Sequence, residues 1–443
     1  MSRRTLILLL TPVALAASMA SHAQSLQEVY EAARAYDASY LAALAQADSV
    51  QYRTAQARAL RLPSVSLSGG LTRAEADPPR STFNPKGDRS GTLTHAVTVN
   101  GRQALFNQGN KVTIEQAERS LEVAQADLRI AEQELIVRVA QAYFDVLVAQ
   151  DALAAAQANK KAVSEQLASA KRNFEVGTAT ITDTREAQAR FDLATATELA
   201  SENDLRTKRI ALDQLVGRQG ITPRPLATPV ALPALTPANV DDWVAPTQND
   251  HPAVRKAQLG LDIARLETEK ARAGHWPTID AVASLGSSHV NGSGATIPGT
   301  TGSASLGVQL SLPLYAGHAV QNRVKETLSL EEKSRNDYEN ARRSVAQATR
   351  VAYFGYQSGS AQAKALEAAE ASSKLALEAT QLGYRVGVRV NLDVLNAQTQ
   401  LFTTQRDLSK ARYDVLLAGL RLRQAAGVLQ PSDVGAVNSL LSR

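Results

Sequence analysis

The tripeptide Ala142-Tyr143-Phe144 occurs a second time in this chain as Ala352-Tyr353-Phe354, and the similarity between the two copies decides the fold. It extends without a gap as far as Gly217 in the first copy and Gly427 in the second, at a constant offset of 210 residues. A long ungapped repeat of this kind indicates two structurally equivalent halves. Each half should therefore contain the same series of elements.

The first residues have the three-part form of a secretory signal peptide. Arg3-Arg4 precedes an apolar run from Leu6 to Ala17, and the small residues of Ser21-His22-Ala23 follow. The alternative is a membrane anchor, but the apolar run is shorter than the roughly 20 residues that a spanning helix needs. We predict that residues 1–23 are a signal peptide and that the protein is exported.

The composition excludes several classes of chemistry. The chain contains no cysteine, so it uses no disulfide, thiolate metal site or lipid attached to an N-terminal cysteine. Its formal net charge of +5 gives no indication of a nucleic-acid partner. The six histidines never fall at ligand spacing along the chain, and neither a phosphate-binding loop nor a nucleophile elbow is present. We expect no metal, no cofactor and no enzymatic activity.

Each half contains a long coiled-coil helix. In residues 110–174, which lack proline, Leu121, Leu128 and Leu135 fall seven residues apart. A second apolar stripe on the same helix requires neighbours on two sides, which favours a cylinder of helices. A Val-Gly pair then turns the chain into a shorter returning helix. The predicted helical hairpins span about 110–216 and about 320–426.

Alternation of apolar with small or polar residues predicts β-strands ahead of each helical hairpin. Leu306, Val308 and Leu310 show this period of two most clearly. The predicted β-hairpins span about 63–106 and about 277–315. Strands of about ten residues match tilted membrane strands, whereas the alternative is an ordinary sheet packed on the helices.

Four membrane strands cannot close on themselves, and open sheet edges are not tolerated in lipid. Closure therefore requires more than one chain. Two chains would give an eight-stranded barrel filled by its own side chains, whereas three chains would give twelve strands and leave room for a duct. The predicted fold class is a mixed one, a membrane β-barrel continued by a long α-helical barrel.

The predicted organisation places two repeats around a linker that is rich in proline and alanine. Stretches at about 26–60 and 253–273 should form the short helix that opens each repeat and should stack end to end with the returning helices. The predicted segments are the signal peptide at 1–23, the first repeat at 24–217, the equatorial linker at 218–249, the second repeat at 250–427 and the C-terminal tail at 428–443.

Three motifs within this order resemble those of the TolC family of outer-membrane channel proteins. They are Leu312-Pro313-Leu314-Tyr315-Ala316-Gly317, its counterpart Ala104–Gly109, and the helix-turn tip Tyr384–Ala397. The resemblance implies a homotrimer with a twelve-stranded barrel in the outer membrane of a Gram-negative bacterium and a helical tunnel across the periplasm. It also implies a passive exit duct for tripartite efflux pumps or type I protein secretion.

The same resemblance implies a gate at the periplasmic end, closed by polar links between helices and lined by an acidic ring. Asp393 would form the ring, and Asn396 stands where relatives often carry a second aspartate. Alternatively, Asp183 and Asp393 are only helix-capping acids. The implied links join Thr182 and Asp183 to Tyr384 and Arg389.

The tips Val176-Gly177 and Val386-Gly387 resemble the family's docking points for a periplasmic adaptor, although they could serve only to turn the chain. The implied partners are that adaptor, an inner-membrane transporter that is either an ABC protein or proton-driven, and outer-membrane lipid. Two other functional classes remain open at this level. An exported coiled-coil scaffold or adhesin would need no lipid-facing strands, and a secreted hydrolase would need a catalytic constellation.

Overall fold

The computed structural model describes residues 23–77, 79, 82, 89–227, 232–295 and 297–442. The predicted signal peptide, apart from its last residue, lies outside the described residues. Residues 78, 80–81 and 83–88 of the first predicted β-hairpin and residues 228–231 of the predicted linker also lie outside them.

The described part of the chain repeats one series of elements: a short helix, a β-hairpin, a very long helix and a returning helix. The bounds are α1 (Leu26–Tyr36), α2 (Ala38–Arg58), β1 (Ser64–Ala76), β2 (Ser90–Phe106), α3 (Gln108–Glu175), α4 (Ile181–Val216), α5 (Val240–Asp250), α6 (Pro252–Arg272), β3 (Thr278–Asn291), β4 (Gly299–Ser311), α7 (Ala319–Arg385), α8 (Asn391–Ala425) and α9 (Pro431–Asn438).

The four strands form one antiparallel sheet in the order β1-β2-β3-β4. The two hairpins each contribute a pair, and β2 joins β3 so that strands from the two halves become neighbours. Within the described chain, β1 and β4 are the edges of this sheet and have one paired side each.

The two faces of the sheet differ in chemistry. The register places Leu67, Val99, Leu285 and Ala304 in one row across the four strands. The next row, on the opposite face, contains only small or hydroxyl-bearing residues, namely Ser68, Thr98, Gly286 and Ser303. The apolar face is open, since Leu67 is 72% exposed and Leu306 is 86% exposed. An open apolar surface of this extent indicates contact with lipid or another chain.

The long helices are the axis of each half. α3 has 68 residues and α7 has 67, which corresponds to about 100 Å at 1.5 Å per residue. Helix α3 packs against α4 and α8 and also against α2 and α6, while α7 packs against α8 and α6. Among the described residues, no helix combines the length and the apolar composition that crossing a membrane requires.

Returning and short helices meet at two equivalent junctions. Gly217 ends α4 with φ +71 and lies against the ring of Tyr36, where an added Cβ would be 2.5 Å from ring carbons. Gly427, just after α8, has φ +72 and lies against His251, where a Cβ would be 2.8 Å from Cδ2. Asp37, beside Tyr36, caps α2, and His251 itself caps α6.

The repeated tripeptide lies at the middle of the helices and anchors the connecting segments. Tyr143 is buried, donates a hydrogen bond from Oη to the carbonyl of Gln24 (2.9 Å) and accepts one from the amide of Arg224 (2.7 Å). Burial raises the pKa of Tyr143. In the second half Tyr353 donates in the same way to the carbonyl of Ala238. The motif therefore holds the N-terminal segment and the linker against the helices.

Candidate functional site

The first helical tip is stabilised within its own helix. α3 ends at Glu175, and α4 begins after Thr180, whose Oγ1 accepts a hydrogen bond from the Asp183 amide (3.2 Å). The Asp183 carboxylate in return accepts hydrogen bonds from the Thr180 amide (2.9 Å) and hydroxyl (2.7 Å). This is a capping box. Asp183 thus occupies the helix-capping position that the alternative sequence interpretation described, and Thr182 beside it is exposed.

The second helical tip has no such box. α8 begins after Val390, which provides no side-chain cap, and the acid in the first turn, Asp393, instead faces Arg389 at 3.5 Å. Both side chains are more than one-third exposed, so this ion pair contributes little to stability. Arg389 and Asp393, which the family resemblance assigned to separate roles, therefore form one pair. The structure does not bring Arg389 or Tyr384 into hydrogen-bond contact with Asp183 among the described residues.

Three hydrogen bonds instead join the helices of the first hairpin to those of the second near the tips. Most of these residues could not be predicted from the sequence, because an amide side chain on a helix cannot be told from a solvated surface residue until its neighbour is known. They run from Asn173 Nδ2 to Tyr384 Oη (3.2 Å), from Gln166 Nε2 to Asn391 Oδ1, and from Arg190 Nη2 to Asn396 Oδ1 (2.9 Å).

The link at Asn391 is the most enclosed of the three. Asn391 is 3% exposed, and its Nδ2 atom is buried without a hydrogen-bond partner among the described residues. A buried unsatisfied polar atom costs about 1–3 kcal/mol. Leu395, one turn further, is fully buried against α3 at Val163 and Leu167. The seam between α3 and α8 thus combines an apolar contact with a polar one that leaves one buried donor unsatisfied.

The charges around the predicted ring are mixed. Asn396 accepts its hydrogen bond from the cationic Arg190, and Asp393 faces the cationic Arg389. Each predicted ring position is therefore paired with a guanidinium group. This arrangement weakens the acidic field that the sequence-based interpretation placed at this end of the helices.

The two turns present apolar side chains to solvent. Val176 is 72% exposed and Val386 is 67% exposed, and each is followed by a glycine of positive φ, Gly177 at +79 and Gly387 at +82. No heavy atom lies within 4 Å of the position that a Cβ would take on either glycine. The tips therefore offer bare backbone beside an exposed valine.

The sheet with one apolar face and the long helical hairpins together define an outer-membrane channel subunit. The family model described as outer membrane efflux protein matches residues 29–218 and 244–428. The chain belongs to this family. Both matched segments coincide with the two halves of the internal repeat.

Relatives of known identity align over nearly the whole chain. The outer membrane protein TolC of Vibrio cholerae is 33% identical over 95% of this chain and 95% of its own length. The alkaline protease secretion protein AprF of Pseudomonas aeruginosa is 32% identical over 94% of this chain and 87% of its own. The protein is therefore an outer-membrane protein of a Gram-negative bacterium and belongs to the exit ducts of efflux or type I secretion. Its relatives are channel proteins, which fits a non-enzyme.

Solved structures have the same fold at low sequence identity. The outer membrane protein VceC of Vibrio cholerae superimposes with a TM-score of 0.74 at 19% identity, covering 91% of this chain and 96% of that one. The open state of the MtrE channel of Neisseria gonorrhoeae gives a TM-score of 0.73 at 22% identity, covering 92% and 90%. The family match and the relatives more than 30% identical confirm the sequence-based identification of the family.

Proposed function

We propose that the protein is a passive, homotrimeric exit duct that is gated at its periplasmic tip. The observation that carries this proposal is a difference in burial between equivalent positions of the two halves. Phe144 is 2% exposed and packs against Tyr413 of α8, whereas its counterpart Phe354 on α7 is 54% exposed. The same contrast occurs on the returning helices, where Leu420 is 2% exposed and its counterpart Ile210 is 60% exposed.

These contrasts have one geometric explanation. In the chain, α3 packs against α8, which is an interface between the first half and the second. The equivalent interface for the second half would join α7 to an α4, and the exposed Phe354 and Ile210 lie on those two helices. If α4 of a neighbouring chain packs against α7, every half has the same surroundings and the helices close into a ring.

The sheet supports the same assembly. Its open edges β1 and β4 would pair between chains, and its apolar face would meet lipid while its face of serine, threonine and glycine would line water. Phe106 and Trp276 stack at 6.2 Å between ring centroids near the helix-proximal end, where aromatic residues suit a membrane interface. Three chains would supply twelve strands, enough for an open lumen.

The gate would be closed by the three hydrogen bonds that join the two hairpins, with Thr182, Asp183, Arg389 and Asp393 shaping the turns beside them. These bonds are few, and water can replace them once the hairpins separate. Because guanidinium groups face both Asp393 and Asn396, the closed constriction should show weak ion selectivity rather than a strong preference for cations.

The exposed tips Val176-Gly177 and Val386-Gly387 would receive the hairpin of a periplasmic adaptor protein, since bare backbone permits close approach. An inner-membrane transporter, an ABC protein or a proton-driven one, would supply the energy. Relatives are named both for secretion of a protease and for efflux of solvents, and the duct would serve one of these two classes of cargo.

Mass measurement in mild detergent tests the assembly. The mature protein should have the mass of three chains, and a monomer or a dimer would contradict the proposed duct.

Planar-bilayer recording tests the gate. Replacing Gln166 and Arg190 with alanine removes two of the bonds between hairpins and should raise single-channel conductance several-fold. The matched control is Glu198→Gln, which breaks the 2.6 Å link to Lys160 within one hairpin and should leave conductance unchanged. Wild-type conductance in the double variant, with an intact trimer, would place the gate elsewhere.

A further inference from the structure

The register of the sheet places two histidines side by side. His95 on β2 lies directly opposite His289 on β3, with ring centroids 6.3 Å apart and ring planes inclined by 49°. Both side chains are exposed on the same face as the apolar rows. The expectation of no metal site rested on spacing along the chain, and that spacing does not report which residues become cross-strand neighbours.

The second histidine is held in a defined orientation. His289 Nδ1 lies 2.9 Å from Thr300 Oγ1 on β4, its cross-strand neighbour on the other side. If Nε2 of His289 binds a cation, Nδ1 carries the hydrogen and donates it to the threonine oxygen. Histidine ligands in metal sites are usually fixed by such a hydrogen bond from the second ring nitrogen.

The separation of the rings suits a single bridging ion. With a metal–nitrogen distance of about 2.1 Å, an ion would lie roughly 3.2 Å from the centre of each ligating imidazole. Centroids 6.3 Å apart are therefore within reach of one ion, and small side-chain rotations would bend the ligand angle towards a tetrahedral one. We propose that His95 and His289 bind a divalent transition cation of the Zn²⁺, Ni²⁺ and Cu²⁺ group, for which imidazole is a preferred ligand.

The site would be open to exchange. No group of three or more histidine and carboxylate side chains that could hold a metal ion exists among the described residues. The charged Arg73 and Glu75 lie on the same face nearer the strand ends, so the site would be at the polar rim of the sheet, where water rather than lipid would complete the coordination. Arg73, two rows further towards the strand ends, is paired with Glu75 at 2.7 Å. The cation would therefore be held by two neutral nitrogens and should leave readily when the imidazoles are protonated.

The site lies where β2 pairs with β3, so a bound ion would affect the stability of the sheet. The pairing of β2 with β3 is where the hairpin of the first half meets that of the second. An ion bridging His95 and His289 would cross-link this seam. A cation that binds only the folded sheet must stabilise it. This inference does not depend on the proposed duct function.

Titration calorimetry with ZnCl₂ tests the site, using the assembled, tag-free protein in detergent at pH 7.5. The wild type should bind one Zn²⁺ per chain. His95→Gln and His289→Gln should each weaken binding at least tenfold, and Thr300→Val should weaken it several-fold because it removes only the orienting hydrogen bond. His275→Gln, which alters an exposed histidine outside the sheet, is the matched control and should bind as the wild type does.

Two further measurements test the site even if a variant folds poorly. Acidification of the wild type to pH 5 should release the ion, and Zn²⁺ should raise the apparent unfolding temperature of the wild type but not that of His95→Gln. Equal Zn²⁺ binding by the wild type and both folded histidine variants would overturn the proposal. Absence of saturable binding by the wild type at pH 7.5 would overturn it as well.

Discussion

Phe144 and Phe354 occupy the same position in the two copies of the repeat, yet one is 2% exposed and the other 54% exposed. The two positions are equivalent in sequence, but their side chains differ in burial within the single chain. The difference is informative because α3 packs against two returning helices, α4 of its own half and α8 of the other, whereas among the described residues α7 packs against only one, α8. The contacts of a buried side chain in the first half therefore indicate the contacts that its exposed counterpart in the second half makes in the assembled protein.

The largest expected effect is at these two aromatic positions. Phe144→Ala removes a ring buried beside Tyr413 and should cost about 3–5 kcal/mol of stability. In the assembled protein Phe354→Ala should cost a comparable amount, because the neighbouring chain buries the ring. Thermal unfolding of both variants in detergent checks this.

Phe354→Asp should dissociate the trimer, whereas Leu382→Asp should not, since its counterpart Arg172 is exposed like Leu382 itself.

The next effect is at the two junctions between returning and short helices. Gly217→Ala should cost at least about 2 kcal/mol, because it combines a positive φ with a Cβ only 2.5 Å from the Tyr36 ring. Gly427→Ala should cost less, since its nearest approach is 2.8 Å to His251. Gly260→Ala, within α6 and with nothing near its Cβ, is the control and should stabilise by about 0.5–1 kcal/mol. Denaturant melts of the three variants should give this order.

A smaller effect separates the two tips. Thr180→Ala removes the capping box of α4 and should cost about 1 kcal/mol. Val390→Thr should create the equivalent box with Asp393 at the start of α8 and should gain up to about 1 kcal/mol while releasing Arg389. Equal melting temperatures for Val390→Thr and the wild type would show that the second tip cannot accept the box.

The smallest effect is a difference in acid sensitivity between the junctions. Burial lowers the pKa of His251, whose neutral Nδ1 accepts the Ala253 amide at 3.0 Å. The unfolded state therefore binds a proton more readily than the folded state, and stability should fall as pH drops below 6.5. The loss is limited to about the 1 kcal/mol of one helix cap. His251→Asn should show a smaller loss of melting temperature between pH 7.5 and 5 than His275→Asn, which keeps His251.

The equivalent cap of α2 should resist the same acidification. Burial would raise the pKa of Asp37, but hydrogen bonds from Ser39 and the Tyr40 amide and the charge of Arg138 outweigh it, so the pKa is lowered from 3.8. A carboxyl group with a lowered pKa contributes stability that is lost only as pH falls below the unfolded value. Asp37→Asn should therefore leave the pH 7.5 to 5 difference unchanged.

The sequence predicted the helices and strands because these depend on local periodicity, the repeat because its two copies are similar, and the family because three motifs resemble it. Heptad leucines predict a coiled coil wherever the partner lies, and alternating strands predict a two-faced sheet. The polar contacts at the tips depend on the relative rotation of helices, which periodicity does not determine. The family resemblance implied a link from Arg389 to Asp183, whereas Arg389 forms an ion pair with Asp393. Arg190 was not among the predicted site residues, although it donates a hydrogen bond to Asn396. The pairing of His95 with His289 was missed for the same reason, since register arises only on folding.

The central claim is that α7 of one chain packs against α4 of the next as α8 packs against α3 within a chain. Ser409 donates to Asp151 across the internal interface, and the equivalent positions are Leu199 and Ala361. In this cysteine-free chain, Leu199→Cys with Ala361→Cys should give covalently linked chains, up to three, on oxidation of the assembled protein. Asp151→Cys with Ser409→Cys should give only a bond within one chain. A bond in the second pair with no linked chains in the first would contradict the claim.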